Sequence, residues 1–198
     1  MHTLLFATNN KNKVAEIQSL VGADFKIISL LEAGIDIDIP EPHETLQENA
    51  FEKANTIHIL TQHNCFSEDT GLEIEALNGA PGVKSARYAG ENRDFQANID
   101  KVLLGLSGIK NRAAQFRTVI CLLWMNEQKM ITPFYFEGIC KGQITETMMG
   151  EKGFGYDPIF IPEGSTKSFA QMSMEEKNEF SHRQKAVTQL FKFLASKK

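Results

Sequence analysis

The sequence TLLFATNNKNKVAEIQSLV, residues 3–21, changes within a few positions from a strand pattern to a helix pattern. Thr3–Ala7 form a short apolar run that leads into the polar turn Thr8-Asn9-Asn10. Apolar residues then recur at the spacing of one helix face, namely Val14, Ile17 and Val21. The stretch therefore predicts a strand, a loop and an amphipathic helix in that order.

Three further helices are indicated along the chain. Thr45-Leu46-Gln47-Glu48 is a capping box, which predicts the start of a helix. Another helix is predicted from about Asp94, where apolar residues recur on one face. Ser181-His182-Arg183-Gln184 has the box pattern as well, and it predicts that Ser181 heads the last helix.

The strand signals predict a mixed sheet. Cys65–Ser67 and Leu72–Leu77 are strand-like and flank Glu68-Asp69-Thr70-Gly71, which is typical of an acidic turn. Ala114–Met125 and Met130–Cys140 predict a β-hairpin with an antiparallel pair. Helices and strands are interspersed, so the predicted class is α/β, with a mixed β-sheet flanked by helices.

Length and composition limit the class of protein. With 198 residues, 42% hydrophobic and 23% charged, the chain fits one globular domain over residues 1–198 and does not fit a disordered or fibrous protein. No linker-like stretch divides it. No apolar run approaches the roughly 18 residues of a membrane span, and no signal peptide pattern is evident, so we expect no membrane partner and a cytoplasmic location.

Charge and cysteine usage give two more expectations. The net charge of −4 argues against binding to a nucleic acid polymer. Cys65, Cys121 and Cys140 are an odd number at wide spacing, which favours buried free thiols over a disulfide framework or a zinc site.

The loop Thr8-Asn9-Asn10-Lys11-Asn12-Lys13 is a candidate phosphate site. A loop that opens a helix presents unpaired backbone N–H groups, and Lys13 adds a positive charge. Read alone, the segment is at least as consistent with an Asn-rich turn that carries solvated lysines.

The acidic pair Glu68-Asp69, followed by the hydroxyl of Thr70, offers the oxygen ligands that Mg²⁺ prefers. Glu41 and Glu44 supply carboxylates from a second loop. An acidic β-turn is the plainer interpretation. Asn49 and Lys53 share one face of the predicted second helix, where a surface ion pair is the alternative.

Gly153-Phe154-Gly155-Tyr156-Asp157-Pro158 is a candidate site for a flat ligand. Its two glycines free the backbone to hold Phe154 where a ring can stack, although such turns also occur for packing alone. His182 and Arg183 at a predicted helix start are hydrogen-bond donors that can meet an acceptor.

Taken in order, these segments resemble the inosine triphosphate pyrophosphatase family, which acts on non-canonical purine nucleotides. The resemblance covers nearly the whole chain and is carried by Ala7–Lys13, Ser67–Leu72, Gly79–Tyr88, Gly153–Pro158 and Ser181–Arg183. The chain departs from the family at two places: the family usually has Thr-Gly-Asn at Thr8-Asn9-Asn10 and Asp-Asp-Ser-Gly at Glu68-Asp69-Thr70-Gly71.

The resemblance implies a long mixed sheet with two lobes and a central cleft, assembled as a homodimer. The implied reaction hydrolyses ITP, dITP or XTP between the α- and β-phosphates to a monophosphate and pyrophosphate, with Mg²⁺ as cofactor. Asp69 would be the general base, and the metal would be held by Asp69 with Glu41 or Glu68.

The same resemblance assigns the substrate contacts. Thr8, Asn9, Asn10, Lys11, Asn12, Lys13, Lys53 and Thr70 would bind the phosphates. Phe154 would stack on the purine, and its edge would be read by Gly155, Tyr156, Asp157, Lys177, His182 and Arg183. Donors at that edge would favour the 6-oxo group of hypoxanthine and xanthine over adenine. Four cations would then gather around one cleft, namely Lys13, Lys53, Lys177 and Arg183.

Two other functions stay open at this point. A non-catalytic nucleotide sensor would keep the phosphate loop and the base site but would not need Asp69. A pyrophosphatase that acts on all nucleotides or on pyrimidines is the second, although His182 and Arg183 argue against it. A structural or nucleic-acid-binding module is the weakest interpretation.

Overall fold

The computed structural model describes residues 2–21 and 25–197. The strands are β1 His2–Phe6, β2 Phe25–Ile28, β3 Cys65–Ile74, β4 Pro81–Gly82, β5 Ala113–Met125, β6 Ile131–Ile144 and β7 Phe160–Pro162. The helices are α1 Lys11–Leu20, α2 Leu46–Thr61, α3 Phe95–Gly105, α4 Met174–Phe180 and α5 His182–Ala195. None of the helices in these ranges is long and apolar enough to cross a membrane.

The strands of the described residues form one seven-stranded sheet. Its hydrogen-bonded order is β2-β1-β3-β5-β6-β7, and β4 pairs with β3. β1 runs parallel to β2 and β3, whereas β3–β4 and β6–β7 are antiparallel. The prediction of a mixed α/β fold is confirmed, and so is the hairpin, whose turn is closed by a hydrogen bond from Asn126 N to Met130 O at 3.0 Å.

Side-chain caps explain where the helices begin. Asn10 caps α1, Thr45 caps α2 and Asp94 caps α3, each by accepting hydrogen bonds from backbone N–H groups of the first turn. The start of α4 was not predicted, although Ser173 and Glu176 form a complete capping box there. Ser181 lies between the end of α4 and the start of α5 at His182, so the prediction that Ser181 heads the last helix is confirmed.

Strand β3 corrects the prediction of an acidic turn at Glu68-Asp69-Thr70-Gly71. The strand runs without a break from Cys65 to Ile74, and Glu68 and Asp69 are buried within it. Gly71 is needed here for close approach, because a Cβ atom at this position would lie 2.7 Å from the carbonyl oxygen of Gly82 on β4. The glycine therefore marks a strand contact and not a turn.

The described residues divide into two compact units. The first consists of Met1–Asp69, Thr118–Gly138 and Arg183–Lys198, and the second of Thr70–Arg117 and Ile139–His182. The core of the first unit is built from β1, α1, β2, β3, β5, β6 and α5, and includes the stacked rings of Phe6 and Phe66, whose centroids are 4.5 Å apart. The predicted cleft between two lobes stays a prediction.

The second unit has a core of its own. It is formed by apolar residues of β3, α3, β5, β6 and the segment 156–172. Phe116 contacts both Phe160 and Phe169, with ring centroids 4.7 and 6.0 Å away. The three cysteines of the chain, one of which, Cys140, lies in this core, are buried free thiols, as predicted.

Candidate active site

The predicted phosphate loop is the turn into α1. The side chain of Asn10 accepts hydrogen bonds from the backbone N–H groups of Asn12 at 3.0 Å and Lys13 at 3.2 Å. Asn9 is used differently, since its amide accepts from Leu31 N and donates to Ile37 O. Lys11 and Asn12 are exposed. The loop is thus a capped helix start whose dipole favours an anion.

Lys53 lies buried on α2 with its ammonium between two carboxylates. Its Nζ donates to Asp69 Oδ1 at 3.1 Å and to Glu41 Oε1. Glu41 comes from the loop ahead of α2, and that loop is held by Asn49, which accepts from His43 N and donates to His43 O. Asn49 and Lys53 therefore do not form the surface ion pair that was the alternative interpretation.

Asp69 has one carboxylate oxygen with no hydrogen-bond partner. The residue is 5% exposed, and Oδ2 is buried and contacts no donor. Burial and the neighbouring Glu41 raise the pKa of Asp69, although Lys53 and Lys13 oppose the change. Burial by itself would lower the pKa of Lys53, but Asp69 and Glu41 outweigh this effect and raise it.

Glu68 has different partners from its neighbour. Arg183 donates to it twice, from Nε to Oε2 at 2.8 Å and from Nη2 to Oε1 at 2.7 Å, and Lys13 Nζ lies 3.1 Å from Oε1. Arg183 also donates from Nη1 to Glu16. Despite the cost of burial, these cations hold the pKa of Glu68 well below its usual range.

Glu16 was not identified from the sequence. It lies three residues after Lys13, on the same face of α1, and is 4% exposed. A carboxylate next to the buried Ile17 on an amphipathic helix is a signal for a buried partner, but the sequence gives no indication that this partner is Arg183. We call Lys13, Glu16, Glu41, Lys53, Glu68, Asp69 and Arg183 the first-unit cluster.

The predicted base site is the loop 153–157 in the second unit, which we call the Phe154 loop. Gly153 and Gly155 have φ of +77° and +61°, as expected for a loop that depends on glycine. The backbone N–H of Phe154 donates to Asp157 Oδ2 at 2.9 Å. The Tyr156 hydroxyl donates to Ser85 O at 2.8 Å, and its ring is buried, so Tyr156 packs within the unit.

Lys177 and the aromatic rings around it complete this second group. Its Nζ donates to Asp157 Oδ2 at 2.6 Å and lies 5.3 Å from the ring centroid of Phe154. His182 is buried and stacks on Phe116, with centroids 4.7 Å apart and planes 16° from parallel. The structure thus places six predicted base-site residues in one unit: Phe154, Gly155, Tyr156, Asp157, Lys177 and His182.

Arg183 is placed with the first-unit cluster. It is 2% exposed, and its Nε, Nη1 and Nη2 atoms donate to the two carboxylates of Glu68 and Glu16. Its predicted contact with a purine edge has no support from these contacts. Of the four cations expected to gather in one place, Lys13, Lys53 and Arg183 lie in the first unit. Lys177 lies in the second unit.

The residues that could hold a metal are few. Within the described ranges, no group of three or more His, Cys, Asp or Glu side chains is arranged to hold a metal ion. Asp69 and Glu41 are two carboxylates joined through Lys53, and Asp69 Oδ2 has no partner. Two carboxylates suit Mg²⁺, which usually completes its octahedron with waters and substrate phosphates. Glu68 is already paired with Arg183 and Lys13 through both carboxylate oxygens, so it is the poorer candidate for a metal ligand.

Comparison with known proteins adds to this geometry. The model of the Ham1 family matches residues 4–193. The chain is 52% identical over 190 residues to a dITP/XTP pyrophosphatase of Flavobacterium psychrophilum, covering 96% of this chain and 97% of the relative. It is 49% identical to a dITP/XTP pyrophosphatase of Porphyromonas gingivalis, with 98% of each chain covered.

Solved structures of similar proteins match the fold as well. The Staphylococcus aureus Ham1 protein superposes with a TM-score of 0.86 at 38% identity, covering 99% of this chain and 100% of that one. A nucleoside-triphosphatase, dITP/XTP pyrophosphatase, from Mycobacterium abscessus gives a TM-score of 0.75 at 34% identity, with 95% and 98% covered.

Proposed function

The chain belongs to the Ham1 family, and from this membership we propose that it hydrolyses non-canonical purine nucleoside triphosphates to the monophosphate and pyrophosphate. Its substrates are ITP, dITP and XTP, and the reaction removes them from the nucleotide pool. Relatives named dITP/XTP pyrophosphatase, about half identical over nearly the full length, carry this proposal. The buried Asp69, with its unpartnered oxygen beside Lys53, is the observation in this chain that supports catalysis over binding alone.

Asp69 is the proposed general base. In the hydrolysis, the oxygen of water bonds to the α-phosphorus, the bond from that phosphorus to the bridging oxygen of the β-phosphate breaks, and pyrophosphate leaves. The proton of the water passes to a carboxylate, and the raised pKa of Asp69 makes it a stronger base than an ordinary aspartate. A sensor that only binds nucleotide has no need of such a group.

Mg²⁺ is the proposed cofactor. It would be held by Glu41 and by one carboxylate oxygen of Asp69, which leaves the other oxygen of Asp69 to accept the proton. When bound, it neutralises charge on the triphosphate and on the departing pyrophosphate. Of the two alternatives for the second ligand, Glu41 is favoured over Glu68, because Arg183 and Lys13 occupy both carboxylate oxygens of Glu68. Lys13 and the N–H groups at the start of α1 are proposed to bind the phosphates.

The Phe154 loop is the proposed purine site. The ring of Phe154 offers a stacking surface, and Lys177 beside it offers a donor. His182, which stacks on Phe116 in the same unit, is proposed as a second donor. A purine with a 6-oxo group satisfies such donors, whereas adenine leaves them unpaired, which costs several kcal/mol when the donors are buried, on the order of 10²-fold or more in specificity.

A substrate panel with product analysis tests the function. The full chain is assayed with Mg²⁺ and dITP, XTP, dATP, dGTP and dTTP, and both pyrophosphate and orthophosphate are quantified. We expect pyrophosphate and the monophosphate, with dITP and XTP preferred. Release of orthophosphate would overturn the reaction class, similar rates with dTTP and dATP would favour a broad pyrophosphatase, and binding without turnover would favour a sensor.

We also propose that the enzyme acts as a homodimer in the cytoplasm. The homodimer is implied by the family resemblance, and light scattering at micromolar concentration tests it. The cytoplasm is supported by three buried free thiols, which suit a reducing compartment, and by the free nucleotides on which the enzyme acts. Fractionation of cells that express the tagged chain tests the location.

A further inference from the structure

Lys53 occupies the point in the first unit where the proposed metal ligands meet. Its ammonium donates to both Asp69 and Glu41, and its side chain is 9% exposed. Two carboxylates carry a charge of −2, and the ammonium reduces that charge to −1. The cluster therefore already holds a resident cation at the carboxylates that a divalent ion would use.

The resident cation leaves the pair incompletely satisfied. Asp69 Oδ2 is buried and has no hydrogen-bond partner, while Oδ1 accepts from Lys53 at 3.1 Å. A buried carboxylate oxygen without a donor is costly, and a second cation relieves that cost. Asp69 Oδ2 therefore indicates a site for a second cation, because the ammonium of Lys53 reaches only Oδ1.

We propose that Lys53 is a stand-in cation that competes with Mg²⁺ for the carboxylates of Asp69 and Glu41. An ammonium and a divalent ion at the same two carboxylates repel each other, so binding of Mg²⁺ moves Nζ away from at least one of them. The first-unit cluster then binds Mg²⁺ weakly in the absence of nucleotide. When Mg²⁺ and substrate are both bound, the displaced ammonium of Lys53 contacts the phosphates. This inference rests on the proposed function, because it takes Mg²⁺ as the cofactor.

Binding of Mg²⁺ to the full chain without nucleotide tests the inference by isothermal titration calorimetry. The variant Lys53→Met removes the resident cation, and Lys13→Met is the matched control, because Lys13 also pairs with a cluster carboxylate, Glu68 at 3.1 Å. We expect Lys53→Met to bind Mg²⁺ about 10-fold more tightly than wild type or better. The Mg²⁺ affinity of Lys13→Met should change by no more than about threefold, because Lys13 is a more distant charge. Affinity equal to or below that of wild type overturns the inference.

A melting experiment covers the case in which the variant is poorly stable. Removing Lys53 leaves two buried carboxylates without their cation, so Lys53→Met should melt below wild type in EDTA and show a larger rise in Tm with Mg²⁺. Lys53→Gln, whose amide can still donate to one carboxylate, serves if Lys53→Met does not fold. A rise in Tm no larger than that of wild type contradicts the inference.

Two further measurements distinguish a failure of this inference from a failure of the proposed function. Asp69→Asn in the Lys53→Met background should remove the gained affinity, and retention of the gain would mean that Mg²⁺ binds elsewhere and overturn the inference. Wild-type hydrolysis of dITP is measured in the same preparation. If it proceeds with Mg²⁺ while Lys53→Met gains no affinity, the inference fails and the proposed function stands. If dITP is not hydrolysed at all, the proposed function fails independently of the titration.

Discussion

Glu68 and Asp69 are neighbours in the chain with opposite electrostatic behaviour. Arg183 and Lys13 occupy both oxygens of Glu68, and they lower its pKa. Asp69 has Lys53 on one oxygen and no donor on the other, and burial raises its pKa. The first carboxylate therefore stays ionised and holds cations in place, whereas the second is suited to exchange a proton.

Replacement of the proposed base tests this division of roles. Asp69→Asn keeps the size of the side chain but cannot accept the proton, so we expect kcat for dITP to fall by at least about 10²-fold. Circular dichroism should show an unchanged fold. A variant with near-normal kcat would refute the assignment of Asp69.

Arg183 should contribute strongly to stability. Arg183→Met leaves Glu68 and Glu16 buried without their shared cation, and we expect a loss of about 3–5 kcal/mol in the free energy of unfolding, measured in urea. The control is Arg117→Met, whose contact with Glu73 at 3.7 Å is partly exposed and should cost about 1 kcal/mol or less. Equal losses in the two variants would argue against a special role for the buried pair.

At the scale of elements, the Phe154 loop depends on a glycine that leaves room for an aspartate. A Cβ atom at Gly153 would overlap Asp157 Oδ2, the atom that accepts hydrogen bonds from Phe154 N and Lys177 Nζ. The conformation of the loop and the position of Lys177 thus depend on the same carboxylate oxygen.

Gly153→Ala should therefore weaken substrate binding. The new methyl group displaces Asp157, and we expect KM for dITP to rise about 10-fold, by an interaction energy typical of coupled residues. Gly164→Ala is the control, since its φ of +88° carries similar backbone strain but the nearest atom is 3.8 Å away. If both variants have the same KM, the contact with Asp157 does not matter for binding.

Local patterns in the sequence predicted some elements and missed others. The cap at Thr45 and the hairpin were predicted, because capping and turn chemistry act within a few residues. The hairpin strands were predicted as Ala114–Met125 and Met130–Cys140, and they run over Ala113–Met125 and Ile131–Ile144. The unbroken β3 was missed, because the charges of Glu68 and Asp69 are stabilised by residues far along the chain. The short α4 was missed because its seven residues carry little apolar periodicity.

The same distinction applies to the site. Lys53 and Asp69 were predicted, and the structure joins them at 3.1 Å. Glu16 was missed, and its pairing with Arg183 was not predicted, since a pair separated by 167 positions leaves no local signal. The family resemblance carried by several segments in order predicts which residues carry function, whereas the partners of buried charges depend on tertiary packing.

At the scale of the whole molecule, Glu68 should make stability depend on pH. Its pKa is lowered in the folded state, so the native protein binds fewer protons there than the unfolded chain, and the contribution is complete above the unfolded value of about 4.3. We expect the difference in Tm between wild type and Glu68→Gln to be constant from about pH 6 to 8. It should shrink as the pH falls below about 4. A difference that shrinks toward pH 8 would contradict this sign.

The division of the chain into units has a consequence for synthesis. The first unit contains β1 to Asp69 and also the segment from Arg183 onward, which follows the second unit in the chain. That segment contributes four residues to the core of the first unit, namely Ala186, Val187, Leu190 and Leu194. Phe25 meets Phe191 with ring centroids 5.0 Å apart, and Glu16 meets Arg183. The final segment of the second unit ends at His182. During synthesis on the ribosome, the core of the first unit therefore stays incomplete, with apolar surface uncovered, until α5 has emerged after the whole of the second unit.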